Sequence, residues 1–302
     1  MPVNLPPIEA ARLVPILANP RAGSGKSHRV VRELVEALKT RGVEPALCSQ
    51  REALSELASA RHNDIRCVVS AGGDGTLLEV LNRAPGHPVA ILPLGNENLV
   101  ARFCGMERSA QRVAHAVIDG ELRTTDLARA NGRLFSIMAG VGFDADVVHR
   151  VHEGRSGHIN KLNWVVPIFE SLSRYRYPEI EIDIEDTGEK LHGCMLFVVN
   201  LPRYALDLPI ARDAVPDDGK LDLCLFPRPG RLNLARYLTA VLRGRHKGLP
   251  DFQKRLVKRL RLSSANSVPV QTDGDPAGFL PLTIEVVPKA MTLVTPGAMP
   301  QK

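Results

Sequence analysis

Three glycines surround one carboxylate in Gly72-Gly73-Asp74-Gly75, followed directly by Thr76. Without Cβ atoms this backbone can come close to a ligand. If a helix follows, its free N–H groups point back into the turn and attract phosphate. Asp74 could hold a metal-bound water or take a hydroxyl proton. The combination suits phosphoryl transfer from a nucleotide. A tight strand-to-helix turn with a solvated Asp is the structural alternative, and the turn alone does not choose between them.

Other clusters could do related chemistry. Asn19-Pro20-Arg21-Ala22-Gly23-Ser24-Gly25-Lys26-Ser27 looks like a Walker A loop, but its leading glycine position is Pro20, which lacks the backbone donor such a loop requires. By its residues alone it reads as a glycine-rich strand-to-helix turn. Asp217, Asp218 and Asp222 place three carboxylates within six residues, a hard-oxygen set suited to Mg²⁺. An acidic turn before the strand Leu221 to Phe226 is the alternative. In Gly140 to Val148, Asp144 or Asp146 could hold a hydroxyl or an amine, or simply belong to a polar loop before a helix spanning Asn160 to Ser173. Gln271-Thr272-Asp273-Gly274-Asp275 reads by itself as one more hairpin turn.

These residues need elements to position them. Ile65 to Ser70 is a short β-branched run, hence a buried strand, and Leu77, Leu78 and Leu81 recur at helical spacing. Thr76 with Glu79 three residues later fits a capping box that starts this helix at Gly75. Strands at Leu13 to Ala18, Ala46 to Ser49 and Val89 to Leu92 alternate with helical patterns up to Gly120, which implies an open parallel α/β sheet with its glycine loops at the carboxyl ends of the strands. From Asp126 the pattern changes. Leu127 to Ala130, Asn131-Gly132 and Arg133 to Met138 form a hairpin signal, Glu179 to Glu185 alternates, and Leu191 to Asn200 reads as a single strand. The expected architecture is an N-terminal open parallel α/β nucleotide-binding domain over 1–125, completed by the end of the chain, and a C-terminal antiparallel β-sandwich over 126–302.

The 302 residues are 44% hydrophobic, enough for two cores. No run of 18 apolar residues occurs and the opening lacks a basic-then-apolar signal layout, so the expectation is a cytoplasmic protein whose membrane contact, if any, is peripheral, on the inner membrane face. Five scattered cysteines without a CxxC pair argue against a zinc site or a disulfide framework. The net charge of +6 is concentrated: residues 228–261 hold eleven Lys or Arg and one acid, Asp251. Such a stretch suits anionic lipid, where each basic residue near the surface contributes roughly 1 kcal/mol. A solvated basic face is the alternative. Few aromatics accompany it, which argues against nucleic acid.

Taken together, GGDGTLLEVLN, the N-P-x-x-G-x-G-K opening and the late QTDGDP segment resemble the diacylglycerol kinase catalytic family, which includes bacterial lipid kinases, sphingosine kinases and ceramide kinases. The resemblance runs from Asn19 to about Pro296. It implies an ATP- and Mg²⁺-dependent kinase acting on a lipid hydroxyl of diacylglycerol, a sphingoid base, ceramide or a similar acceptor. It further implies that Asn19, Gly23, Gly25, Lys26, Gly72, Gly73, Gly75 and Thr76 hold the nucleotide, together with Gly95, Asn98 and Arg102 of a segment similar to P-L-G-T-x-N-D-x-A-R. Two positions of that segment depart from the pattern, Asn96 for a small hydroxyl residue and Leu99 for Asp. By the same resemblance Asp273, or else Asp74, is the general base, Asp144 and Asp146 border the acceptor, and Asp217, Asp218 and Asp222 bind magnesium. Asp275, one methylene shorter than the usual Glu, supports the metal or the polar network. A homodimer is left open. The competing readings are a kinase of soluble NAD, which shares GGDGT, and a weakly active or inactive nucleotide- or lipid-binding protein.

Overall fold

A computed structural model describes residues 3–5, 7, 8, 10–18, 26–154, 165–202 and 208–297. The chain divides into two compact units, residues 1–125 with 289–302, and residues 126–288.

The first unit runs β1 (Val3–Asn4), β2 (Leu13–Ala18), α1 (Lys26–Lys39), β3 (Glu44–Cys48), α2 (Arg51–Ala60), β4 (Val68–Gly72), α3 (Asp74–Arg83), β5 (Val89–Pro93), α4 (Leu99–Phe103) and α5 (Ala110–Asp119). Strands β5, β4, β2 and β3 lie side by side in parallel. Near the end of the chain Leu293 pairs in parallel with Val89 of β5, so the sheet is completed from the opposite end of the sequence. β4 and β5 are buried along their whole length, as expected for parallel strands covered on both faces. Helix α1 turns Val31, Leu34 and Leu38 inward and keeps the Arg29–Glu33 ion pair outside. Arg66 is buried, yet its guanidinium donates to the carbonyls of Val117 and Ile118 in the last turn of α5. A cation there meets the negative end of the helix and unpaired carbonyls at once.

β6 (Glu121–Ala130) leads into the second unit, which continues with β7 (Arg133–Phe135), β8 (Met138–Gly142), α6 (Phe143–Glu153), α7 (Val165–Arg174), β9 (Ile180–Ile184), β10 (Glu189–Gly193), β11 (Met195–Val199), β12 (Leu221–Phe226), α8 (Arg231–Leu242), β13 (Gln253–Val257), β14 (Arg259–Ser263), β15 (Pro269–Thr272), β16 (Asp275–Phe279) and β17 (Leu282–Thr295). One antiparallel sheet has the order β13-β12-β11-β8-β15-β16; the other sets β10, β9, β14 and the start of β17 side by side. Ile182, Ile184, Leu260 and Ile284 from the second meet Val141, Leu196, Leu223 and Val270 from the first in one apolar core. The alternation of β14, exposed and buried in turn, follows from having one face in that core.

Three sequence expectations change here. The hairpin turn Asn131-Gly132 forms, both residues having positive φ, but β7 ends at Phe135 because the N–H groups of Ser136, Ile137 and Met138 bond a side chain instead of a neighbouring strand. The run Leu191 to Asn200 is two strands, broken at Cys194, which belong to different sheets. Helix α3 starts at Asp74, with Gly73 as a cap that has no side-chain bond, so the Thr76/Glu79 capping box does not form. Thr76 is buried with its side chain lying where a Cβ on Gly72 would go. Residues 160–164 of the expected 160–173 helix lie outside the described residues; the rest is α7.

Candidate active site

In the first unit two glycine loops are built as one body. Leu94 N–H donates to the carbonyl of Gly72 at 2.9 Å. Gly73 and Gly95 touch through their backbones: a Cβ on Gly95 would stand 2.7 Å from Gly73 Cα, and that neighbour is main chain and cannot turn aside. Asn98, at φ 49°, folds back so that its Oδ1 accepts from Gly95 N–H at 2.9 Å and its Nδ2 donates to Gly95 O at 2.8 Å. Asp74 then crosses between the loops. Its Oδ2 accepts from Leu99 N–H at 3.0 Å and its Oδ1 from Val100 N–H at 3.1 Å, the first two amides of α4. Burial pushes its carboxyl up from the ordinary Asp value, against these two hydrogen bonds. Gly75 has open space where its side chain would be, and Arg102 is exposed. Leu99, in the position of the missing Asp, is buried; only its N–H serves the loop. Asn19, Gly23 and Gly25 lie outside the described residues, as does the side chain of Lys26.

The second unit is organised by Asp273, at φ 50° in the turn between β15 and β16. Its Oδ2 accepts from Ser136 N–H at 2.7 Å and Ser136 Oγ–H at 2.9 Å, and its Oδ1 from Ile137 N–H and Met138 N–H, both at 2.9 Å. An ionised carboxylate offers about four acceptor sites, so all are filled. Burial pushes its carboxyl up to about 6, against those four bonds. Gln271, fully buried, steadies the same turn: its Oε1 accepts from Gly274 N–H and its Nε2 donates to Asp144 Oδ2, each at 2.9 Å. Asn200 donates to the carbonyls of Asp126 and Ser136 and fixes the strand that carries the donors. Sequence reasoning passed over Ser136 and Asn200 and gave Gln271 no role. Only Gln271 left a signal, two residues ahead of Asp273.

Asp146, on α6, pairs with Arg150 at 2.8 Å and accepts from Ser171 Oγ at 2.6 Å, tying α6 to α7. It lines an open cavity of about 550 Å³ together with His149, Arg150, Tyr175, Asn266 and Phe279. The Tyr175 hydroxyl is buried and has no partner among the described residues.

The expected magnesium ligands do not converge. Among the described residues no three Asp, Glu, His or Cys side chains are arranged to hold an ion. Asp217 and Asp218 are exposed, while Asp222 is buried in ion-pair contact with Lys254 Nζ at 2.6 Å, and Lys254 also reaches Asp213 at 2.9 Å. Asp275 lies elsewhere, 3.3 Å from His152 Nε2 and 3.8 Å from Arg133. The charge Mg²⁺ would supply to Asp222 is supplied here by a lysine, so Asp217, Asp218 and Asp222 do not form a three-carboxylate cation site, and Asp275 stands apart from them. Lys254→Met should therefore leave a buried unpaired carboxylate and lower stability by about 3 kcal/mol at pH 8. Burial already raises the Asp222 carboxyl, against Lys254. Losing the cation raises it further, so the deficit shrinks as pH falls and Asp222 takes up a proton. Denaturant unfolding of both proteins at pH 8 and pH 5 measures this.

Comparison with known proteins agrees with this architecture. The model of the diacylglycerol kinase catalytic domain matches residues 14–130, and that of the YegS C-terminal NAD kinase beta sandwich-like domain matches residues 137–295. Curated relatives over nearly the full length are a diacylglycerol kinase of Mycobacterium tuberculosis, 28% identical over 295 residues (94% of this chain, 95% of that protein), and one of Bacillus subtilis, 26% identical over 276 residues (88% and 90%). The crystal structure of a diacylglycerol kinase from Bacillus anthracis shares the fold, with a TM-score of 0.67 at 18% identity over 94% of this chain and 97% of that one. The catalytic-domain model and these relatives place the chain in the lipid-kinase class. The chain belongs to the diacylglycerol kinase family.

Proposed function

We propose that the chain is an ATP-dependent lipid kinase that transfers the γ-phosphoryl group to the hydroxyl of diacylglycerol, a sphingoid base, ceramide or a similar lipid. The observation that carries the reading is Asp273: a buried carboxyl held on four donors, with its proton affinity raised to about 6, suits a general base working near neutral pH. ATP, when bound, supplies the phosphoryl group. The open Gly75 and the amides at the start of α3 suit its phosphates. Asp273 accepts the proton of the acceptor hydroxyl. Three of its donors are main-chain amides and cannot turn away, so the Ser136 hydroxyl must rotate to free an acceptor site on Oδ2. The cavity beside Asp146, lined also by His149, Arg150 and Asn266, suits the polar head of the acceptor.

Transfer of label from γ-labelled ATP to lipids presented in mixed micelles tests this. A labelled lipid supports the reading and its identity gives the acceptor. Label on soluble NAD without lipid, or ATP binding with no transfer to any lipid, overturns it.

A second expectation follows for Ser136→Ala. The carboxylate loses one donor to its charged form, so its pKa rises and the acid limb of kcat/KM moves up by about one pH unit, equivalent to about 1.4 kcal/mol. Ser136→Thr keeps the hydroxyl and should restore the limb. A pH profile of all three proteins is the measurement.

A further inference from the structure

Helix α8 has two apolar faces. Leu234, Tyr237 and Val241 are buried, and the Tyr237 ring lies 5.0 Å from Phe226 while its hydroxyl donates to Asp251 at 2.6 Å, so this face mounts the helix firmly on the second unit. The other face is open to solvent, with Leu232 89%, Leu242 71% and Leu238 37% exposed. At about 100° per residue these three leucines fall within an arc of about 120°, over roughly 15 Å of helix. A helix that is apolar on its outer face as well is covered in its working state.

Charge identifies what covers it. Seven of the eleven basic residues of 228–261 pair with acids of the second unit, two of them with Asp251 of the same stretch. Arg228 and Arg236 pair with Asp251, Lys247 with Asp213, Lys254 with Asp213 and Asp222, Arg255 with Glu189, and Arg259 and Arg261 with Glu185. Among the described residues Arg243 and Arg245 have no acidic partner, and both are exposed just beyond the C-terminal end of α8. Arg231, exposed at its first position, donates only to the carbonyl of Ser173. No Asp or Glu occurs from Arg228 to Pro250. Of the four basic residues of the stretch left without an acidic partner among the described residues, Arg231, Arg243 and Arg245 stand at the two ends of the leucine face, and Lys258 lies apart between β13 and β14.

We propose that this face of α8, Leu232, Leu238 and Leu242 framed by Arg231, Arg243 and Arg245, is an interfacial anchor that seats the second unit on an anionic lipid bilayer. The leucines enter the boundary between headgroups and acyl chains while the arginines meet lipid phosphates, the arrangement of helices that lie in the membrane surface. A second copy of the chain fits poorly: a two-fold contact sets like charges face to face, and three leucines fall far short of the roughly 800 Å² per partner of a stable interface. The anchor rests on the reading that the acceptor is a lipid, but the binding measurement that tests it needs no nucleotide.

The test is co-sedimentation with vesicles of equimolar phosphatidylcholine and phosphatidylglycerol, beside vesicles of phosphatidylcholine alone. The wild type should bind the mixed vesicles, less in high salt, and not the neutral ones. Leu232→Glu with Leu242→Glu, and separately Arg243→Glu with Arg245→Glu, should each weaken binding at least tenfold. Because these side chains are exposed, both variants should keep the wild-type melting temperature and the wild-type rate on a short-chain diacylglycerol dissolved as monomers. Wild-type binding by the leucine variant overturns the proposal. So does a wild-type dimer that the leucine changes turn into monomer, because the face then belongs to a second copy. If the wild type phosphorylates no lipid yet shows the vesicle pattern, the kinase reading falls and the anchor stands.

Discussion

Asp273→Asn should lower kcat/KM by a factor of about 10²–10⁴, the usual contribution of a general base, while leaving a folded protein. Two opposing effects set its stability. The amide offers one acceptor oxygen and turns an NH₂ group toward amides that now donate to Asp273, and each buried donor left unpaired costs about 1–3 kcal/mol. Against this, raising the carboxyl from 3.8 to about 6 costs the ionised wild type up to about 3 kcal/mol at neutral pH, a cost the neutral amide avoids. The two nearly cancel, so the stability at pH 8 should change by no more than about 2 kcal/mol. The wild type, whose folded carboxyl holds its proton more tightly than the unfolded one, should lose stability as pH rises through about 4 to 6 and stay level above. Over the same range its kcat/KM should climb and reach a plateau, because the base must be unprotonated to act. The variant should lack both the stability slope and the acid limb. Initial rates and melting temperatures across pH 4–8 decide the matter: a variant within threefold of the wild-type rate reduces Asp273 to a residue that holds a turn.

The glycine turn shows how far sequence reaches. Gly73 and Gly95 are legible as close-approach positions because a missing Cβ is a local property of the residue, and the backbones do touch. The partner of Asp74 was not legible: its bonds go to main-chain amides 25 and 26 residues away, which any residue type could supply. The cradle of Asp273 is hidden for the same reason, since three of its donors are amides of residues 136–138. The acidic stretch at 217–222 looked like a metal loop because spacing along the chain says nothing about Lys254, which pairs with Asp222 across the neighbouring strands β12 and β13. Residues 228–261 misled in the opposite sense. Eleven basic residues in one stretch suggested a broad patch, but ion pairs engage seven of them and leave Arg231, Arg243 and Arg245 at the ends of α8 and Lys258 between β13 and β14. Periodicity gave the elements where one face is buried. It failed at Cys194, where the segment from Leu191 to Asn200 crosses from one sheet to the other.

Asp74→Asn should act through KM for ATP rather than through kcat. Both carboxylate oxygens of Asp74 are spent on the first two amides of α4, a helix of five residues. So short a helix has little stability of its own and depends on such capping. With asparagine, one amide keeps an acceptor and the other faces an NH₂ group, at a cost of about 1–3 kcal/mol. The Asn98 staple still joins Gly95 to α4, so the loop should shift rather than unfold, and the contact between Gly73 and Gly95 loosens with it. Loss of about 1.4 kcal/mol of preorganisation corresponds to a roughly tenfold rise in KM. The melting temperature should fall by a few degrees. If Asp74 were instead the base, kcat would collapse at unchanged KM and the acid limb would vanish, the pattern expected of Asp273→Asn. Steady-state kinetics with varied ATP at saturating lipid separates the two carboxylates, because a loop clamp and a proton acceptor change different constants.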